Sequence, residues 1–460
     1  MGKINILEWG KTKLKEIYDR SIETNSQIRI QLFQFFPFLI ASVLTGIMAY
    51  FYSRIFHYAE LLSFFIYEQH KASIFITTPI AFVISWWMVH VYAKFARGSG
   101  IPQVMAAIEL AQPTKKHLIP LFISPRIILI KIIASAIKVV GGGIVGREGP
   151  TIQISSSIFN QVYKWLPNWW QPISQKNILL AGASSGLAAA FNTPLGGIIF
   201  AIEELSKFHI RYYRYPLFIA VIIAGLTAQG LGGPYLYLGH PKTSFSGWMI
   251  YVGILVTGVL SGYLGAWMCS FMLRFVTFVN RQKKRAQQIS IVLGCAMMVA
   301  LIIYFFGTEA MGSGKSIMER TLFTDQKKVE WYLPLLRIVG LVFSFSFGGA
   351  GGVFAPSLSI GASIGAVVSD LLRLTDGNAN LLILVGMTGF LTSVTRAPFT
   401  SAIIIFEMTD RHSIIFYLLF GAVIANIIAS ISSRKSFYDA IKESYLKEID
   451  DGVERSAVKG

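Results

Sequence analysis

Several stretches of this chain carry no Asp, Glu, Lys or Arg: residues 30–53, 72–93, 177–202, 215–241, 243–273, 286–308 and 338–369. Each is long enough to cross a bilayer, which takes about 20 predominantly apolar residues. The longest leave room for tilted or broken helices. The chain is therefore expected to be an all-α, polytopic membrane protein, and a composition that is 53% hydrophobic and 14% charged agrees. The first 29 residues are polar and charged and show no signal peptide; they read as an amphipathic cytoplasmic helix.

The net charge of +17 would suggest nucleic acid in a soluble protein. Here it gathers in short loops: Lys11, Lys13, Lys15 and Arg20; Lys115 and Lys116; Lys207, Arg211 and Arg214; Arg281, Lys283, Lys284 and Arg285; Arg434 and Lys435. The positive-inside rule places such loops in the cytoplasm, with general attraction of anions a secondary reading. No nucleic-acid partner is expected; membrane lipid is. Cys269 and Cys295 lie in apolar segments and read as packed thiols. The seven histidines show no metal-ligand spacing, and His90 reads as an interfacial or hydrogen-bonded residue. No metal site is expected.

Against this background Glu148 stands out. It lies in Gly141-Gly142-Gly143-Ile144-Val145-Gly146-Arg147-Glu148-Gly149-Pro150, inside a long apolar stretch. Carboxylates at membrane depth are rare and tend to mark ion or proton paths. The glycines allow close backbone approach, and Pro150 suits the first turn of a helix. A carboxylate thus stands beside a helix N-terminus, where free N–H groups attract anions. The side chain can occupy an anion site, or leave it when protonated. Two further breaks resemble this one: Gly98-Ser99-Gly100-Ile101-Pro102, and Gly349 to Pro356. Non-helical backbone at membrane depth is tolerated where it is buried or lines a cavity. Three breaks suggest helix N-termini converging on an anion. In Gly182-Ala183-Ser184-Ser185-Gly186, helix packing is the better explanation of the glycines.

The chain repeats itself. Gly182, Pro194 and Glu203 recur as Gly386, Pro398 and Glu407, 204 residues later with the same spacing. Gly146, Pro150 and Ile154 recur as Gly352, Pro356 and Ile360, 206 residues later. Duplicated transporter halves often have opposite topology, with the binding site between them.

Taken together, Gly98-Ser99-Gly100-Ile101-Pro102, Gly146-Arg147-Glu148-Gly149-Pro150 and Gly351-Gly352-Val353-Phe354-Ala355-Pro356 resemble the three signature loops of the CLC chloride channel and transporter family. Ala189-Ala190-Phe191-Asn192-Thr193-Pro194-Leu195, ending at Ile202-Glu203-Glu204, fits too, as do Arg396-Ala397-Pro398 and Glu407-Met408-Thr409. The resemblance implies a CLC-type fold of two inverted-topology repeats. Its expected boundaries are 30–241 for the first repeat, 242–433 for the second, and 434–460 for a last pore-lining helix and a short cytoplasmic tail. It implies an anion site made by the Ser99 hydroxyl, the Tyr438 hydroxyl and the N–H groups of Val353 and Phe354. Glu148 becomes the external gating glutamate, and Glu204 the internal glutamate that takes protons from the cytoplasm. Each role has a plainer alternative. Ser99 could cap a helix, Tyr438 could anchor one at the interface, and Glu203 or Glu204 could pair with Lys207 and Arg211. Two positions depart from the family pattern. Gln103 stands where glutamate is usual, and Lys138 is an unusual cation that could raise the local anion concentration, or snorkel. Lys131 is usual for the family.

The expectation is a secondary transporter exchanging chloride for protons, without cofactor. The rival is a passive chloride channel of the same fold; Glu204, apolar in the family's channels, favours exchange. An intramembrane enzyme is disfavoured because no nucleophile, base and orienter set is evident. Fluoride export and nitrate transport are less favoured than chloride at a serine-type loop. The resemblance further implies a homodimer with one pathway per subunit, in a bacterial inner membrane with both termini cytoplasmic, and without the cytoplasmic nucleotide-binding tail of eukaryotic members.

Overall fold

A computed structural model describes residues 26–170, 172–206, 214–233, 237–243, 245, 247–374, 376–409, 412–433 and 435–457. Most of the expected N-terminal amphipathic helix lies outside these residues, as do Lys207, Arg211 and Arg434. The described elements are helical, with only isolated bridges between loops. Among the described residues, nine helices are long and apolar enough to cross a membrane. Their outward faces carry large apolar side chains such as Phe51, Tyr263, Phe416 and Ile431, as a lipid-facing surface requires.

The first half contains α1 (Ser26–Gln69), α2 (Ile74–Tyr92), α3 (Ile101–Glu109), α4 (Ile119–Phe122), α5 (Pro125–Val140), α6 (Glu148–Trp165), α7 (Gln175–Phe191), α8 (Pro194–Phe200) and α9 (Arg214–Gly232). The second contains α10 (Met249–Arg281), α11 (Arg285–Phe306), α12 (Lys315–Phe323), α13 (Leu333–Ser346), α14 (Phe354–Leu371), α15 (Asp376–Thr395), α16 (Pro398–Thr409) and α17 (Ile415–Ser432). Helix α18 (Phe437–Ala457) follows. Prolines open many of them. Pro125, Pro194 and Pro398 are first residues of α5, α8 and α16, where the missing N–H has no intrahelical partner to lose.

The repeat is visible in the lengths. Helices α6 and α14 both run 18 residues, offset by 206; α3 and α12 both run 9. It is also visible in the contacts. Gly146 and Gly352, repeat mates, exchange two backbone hydrogen bonds of 2.8 Å. Glu203 accepts hydrogen bonds from the N–H groups of Phe399 and Thr400, at 3.3 and 2.6 Å. Its mate Glu407 accepts from Leu195 and Gly196, at 2.9 and 2.6 Å. Each carboxylate therefore closes the N-terminus of the other repeat's Pro-started helix, as expected for two halves related by a two-fold axis. Exposed helix N–H groups and the positive end of the helix dipole favour a carboxylate there.

Small residues let the helices close on one another. Gly182 faces Ser156 and Phe159, Gly186 faces Ser155, and Gly361 packs on the backbone of Gly386. The glycines of 182–186 thus serve packing, as expected. Cys269 and Cys295 are buried and unpaired.

Candidate functional site

Three loops meet at the centre. Gly98 donates to Gly349 O (2.9 Å), and Gly351 donates to Gly98 O (3.1 Å). The Gly146–Gly352 pair joins the remaining two loops. Behind these loops start α3, α6 and α14, so three helix N-termini converge where first-turn N–H groups lack intrahelical acceptors. Glycine is needed here: Gly98 and Gly100 hold φ of +65° and +113°, and any side chain on Gly100 would strike the carbonyl of Gly149.

Two side chains fix the Ser99 loop from behind. Lys131, fully buried, donates to Ala96 O (3.0 Å) and Gly98 O (2.8 Å). Gln103 accepts from Gly100 N (3.0 Å) and donates to Arg97 O. That second bond requires the amide N–H, which a glutamate carboxylate lacks. The departure at position 103 therefore has a structural reason: it replaces a charge with a two-ended brace.

Ser99 does not cap α3; Gly100 is the capping residue. The Ser99 hydroxyl is buried without a hydrogen-bond partner and packs against Gly149. Tyr438 enters from the start of α18. It is fully buried rather than interfacial; its hydroxyl lies near that of Ser99 without a well-formed hydrogen bond, and its electrostatic neighbours are Glu204, Cys269 and Glu148. Two buried hydroxyls thus stand near each other without acceptors of their own, and Gly149, packed on Ser99, lies against Gly352, just before Val353 and Phe354 at the start of α14. Buried donors in such a state are costly, and a desolvated anion would satisfy them without a fixed countercharge. Ile101, Pro102, Ala355 and Pro356 are buried around this centre.

Glu148 is 1% exposed. Its carboxylate turns back against Gly146, with its own N–H and that of Ala355 as nearest backbone dipoles. It therefore sits at the joint N-termini of α6 and α14, and its Oε2 has no hydrogen-bond partner. Arg147 is its electrostatic neighbour. A cavity of about 250 Å³, lined by Arg54, Glu60, Arg147, Ser313 and Lys315, reaches Glu148.

Glu204 lines a different cavity of about 270 Å³, with Glu109, Gln112, Lys176 and Lys442. Glu148 begins α6, while Lys176 belongs to the start of α7, just past α6's far end. Gln175, beside Lys176, donates to Asn160 in the second half of α6 (2.9 Å), so the two cavities reach different ends of that helix. Residues Ala201–Leu205 form a π-helical turn continuing α8. It separates the neighbours Glu203 and Glu204: the first caps α16, the second faces the cavity. Glu203 is thus a cap between repeats.

Lys138 is fully buried, its ammonium has no hydrogen-bond partner, and it lies 4.8 Å from the centre of the Phe347 ring. It does not snorkel. Outside the membrane, α18 is held by ion pairs of Glu448 with Lys94 and Arg97 and of Lys442 with Glu109. Burial alone would raise the Glu448 pKa, but Arg97 and Lys94 outweigh it and hold the group below its ordinary 4.5.

One element escaped the sequence reading. Gly312-Ser313-Gly314 precedes α12 as Gly98-Ser99-Gly100 precedes α3, with φ of +60° and +84° at its glycines. Arg337 (206 residues after Lys131) is likewise fully buried and donates to the carbonyls of Glu309, Met311 and Gly312. The repeated Gly-Ser-Gly string was the available signal.

The sequence profile described as "Voltage gated chloride channel" matches residues 80–430. Three solved structures share the fold. A slow cyanobacterial Cl−/H+ antiporter is 20% identical, with 89% of this chain and 97% of that one covered and a TM-score of 0.76. A CLC-type fluoride/proton antiporter is 22% identical, covering 90% and 98%, with a TM-score of 0.73. A eukaryotic CLC transporter is 22% identical, covering 89% and 74%, with a TM-score of 0.69.

Proposed function

The chain belongs to the voltage-gated chloride channel family, and we propose that within it this protein is a secondary transporter exchanging chloride for protons. The observation that carries the reading is the placement of two carboxylates. Glu148 and Glu204 reach separate cavities at opposite ends of α6, and Tyr438 is the electrostatic neighbour of both.

Chloride would rest between the Ser99 and Tyr438 hydroxyls and the first turn of α14. These donors carry no full charge, so the ion can leave again. Ionised Glu148 occupies the helix N-termini that an outgoing anion must cross. Protonation removes its attraction for them and frees the path. Chloride entry and Glu148 protonation then favour each other, and that competition couples the ions. Glu204 receives protons from the second cavity and passes them towards Glu148 past Tyr438. By the positive-inside rule, the basic loops support a cytoplasmic side for that cavity and α18. No cofactor takes part. All parts of the site come from one chain, which supports one pathway per subunit in a homodimer.

The test is paired flux from proteoliposomes holding a chloride gradient and no initial pH gradient, with chloride and external pH recorded together. Proton movement opposite to chloride, absent in Glu148→Ala and Glu204→Gln, is the expected result. Fast chloride flux without a pH change would make the protein a passive channel.

A further inference from the structure

Lys138 is a buried charge that the exchange reaction does not use. Its ammonium has no acceptor, and among the described residues no carboxylate pairs with it. Its near electrostatic neighbours are the thiol of Cys295 and the ammonium of Lys131. The Phe347 ring 4.8 Å away gives partial compensation, and that ring is itself stacked on Phe82 at 4.8 Å. A desolvated ammonium with no oxygen partner is among the least stable arrangements a protein interior can hold.

A second unsatisfied group lies near the same ring. Helices α2 and α5 run antiparallel here: Thr78 donates to Gly141 O (2.7 Å), and Ala81 packs on Gly141. Two turns on, Ser85 comes opposite the Ala134–Lys138 turn. Most buried helical hydroxyls in this protein bond back to the carbonyl one turn earlier, as Ser42, Ser357 and Thr388 do. Ser85 does not: its Oγ is buried and unpartnered, and it faces the Phe347 edge and Gly349. Ser99 is in the same condition at the central site. A cavity of about 740 Å³ reaches Phe347 and Gly348 and carries charges of both signs, Lys94, Arg97, Lys283 and Lys447 against Glu443, Glu448 and Asp451. Phe347 therefore stands between a charged recess and the buried ammonium.

We propose that Lys138 and Ser85 form a second buried site for a small monovalent anion of halide size, entered from that charged recess past Phe347. The site lies behind the Gly349 strand whose other neighbour is Gly98, so it is distinct from the Ser99–Tyr438 centre. An ammonium donor and a hydroxyl donor suit a weakly hydrated spherical anion better than a polyatomic one, because the neighbouring cation, Lys131, directs its N–H groups to the Ala96 and Gly98 carbonyls. The inference does not depend on proton coupling.

Bromide anomalous diffraction from crystals of the intact protein tests it, using bromide as the probe. The expected result is a peak beside the Lys138 ammonium in the wild type. That peak should be lost in Lys138→Met, whose apolar chain suits the same burial, and weakened in Ser85→Ala. Peaks confined to the Ser99–Tyr438 centre would overturn the proposal. So would a peak that survives Lys138→Met, or one appearing only at bromide far above the level that fills the centre, which would be an adventitious ion only. The wild-type crystals decide the question even if a variant does not fold.

Discussion

Glu148 and Phe354 hold the same place in the two repeats. Each is the first residue of an 18-residue helix, and the loops before them exchange hydrogen bonds through Gly146 and Gly352. One carries a carboxylate and the other a ring. Glu204 and its mate Met408 differ in the same way. The π-helical turn that presents Glu204 has no counterpart in α16, which runs through Met408 as a regular helix; such turns are frequent at functional sites. Elsewhere the mates agree. Glu203 and Glu407 cap each other's helices, and Lys131 and Arg337 each hold a Gly-Ser-Gly loop by its carbonyls. Where mates agree, they build the frame. Where they differ stand the two carboxylates to which the proposed ion chemistry is assigned.

That contrast can be broken by experiment. The largest effect is expected from the buried cations. Lys131→Met leaves the Ala96 carbonyl unpaired and Gly98 O with only its bond from Gly351 N, and Arg337→Met strips the carbonyls of Glu309, Met311 and Gly312. Each should destabilise the protein by about 3 kcal/mol, read as the thermal midpoint of the solubilised protein. Chloride binding should fall only in Lys131→Met, because only that loop carries the central serine. Equal losses of binding in both variants would contradict the division between frame and site.

The caps come next. Glu203→Ala and Glu407→Ala should each cost about 1–2 kcal/mol of stability and leave the chloride-to-proton ratio unchanged. Glu204→Gln, one residue away, should do the reverse: near-normal thermal stability and lost proton flux. Loss of coupling in Glu203→Ala would sink the assignment of Glu203 to the frame.

Gln103→Glu is a smaller perturbation. It removes the donor that holds Arg97 O and places a charge beside the anion loop, so chloride affinity should fall while Gln103→Met, which loses both bonds without adding charge, should fall less. Chloride titration calorimetry separates the two.

The smallest expected effect concerns pH and α18. Glu448 has a folded pKa below 4.5, so its contribution is complete above that value and is lost as pH falls through the lower folded value. Lys442 works in the opposite direction. Burial would lower its pKa, but Glu109 and Asp439 hold it above 10.5. Its contribution is present below 10.5 and lost as pH rises through the folded value. Limited proteolysis of α18 should therefore accelerate at both extremes. Glu448→Gln should remove the acid limb.

Much of this frame is legible in the sequence because its signals are local. Charge-free stretches report bilayer spans, and proline spacing reports helix starts. Offsets of 204 and 206 residues report the duplication. Glu148 is legible because a carboxylate in an apolar run has few uses. What stays hidden depends on distant partners. Glu203 looked like a surface charge beside Lys207; its bonds go to Phe399 and Thr400, nearly 200 residues away. The second Gly-Ser-Gly loop is readable as a string, but its offset of 214 departs from the others, so spacing did not tie it to the first. The condition of Lys138 follows from packing against Phe347, which no local pattern announces.

The central claim is that the Glu148 carboxylate competes with chloride for the joined N-termini of α6 and α14. Chloride titration calorimetry of wild type against Glu148→Ala tests it most directly. The account predicts tighter or additional chloride binding in the variant, because the competing anion is gone. Unchanged or weaker binding would show that Glu148 does not occupy an anion site, and would contradict the account.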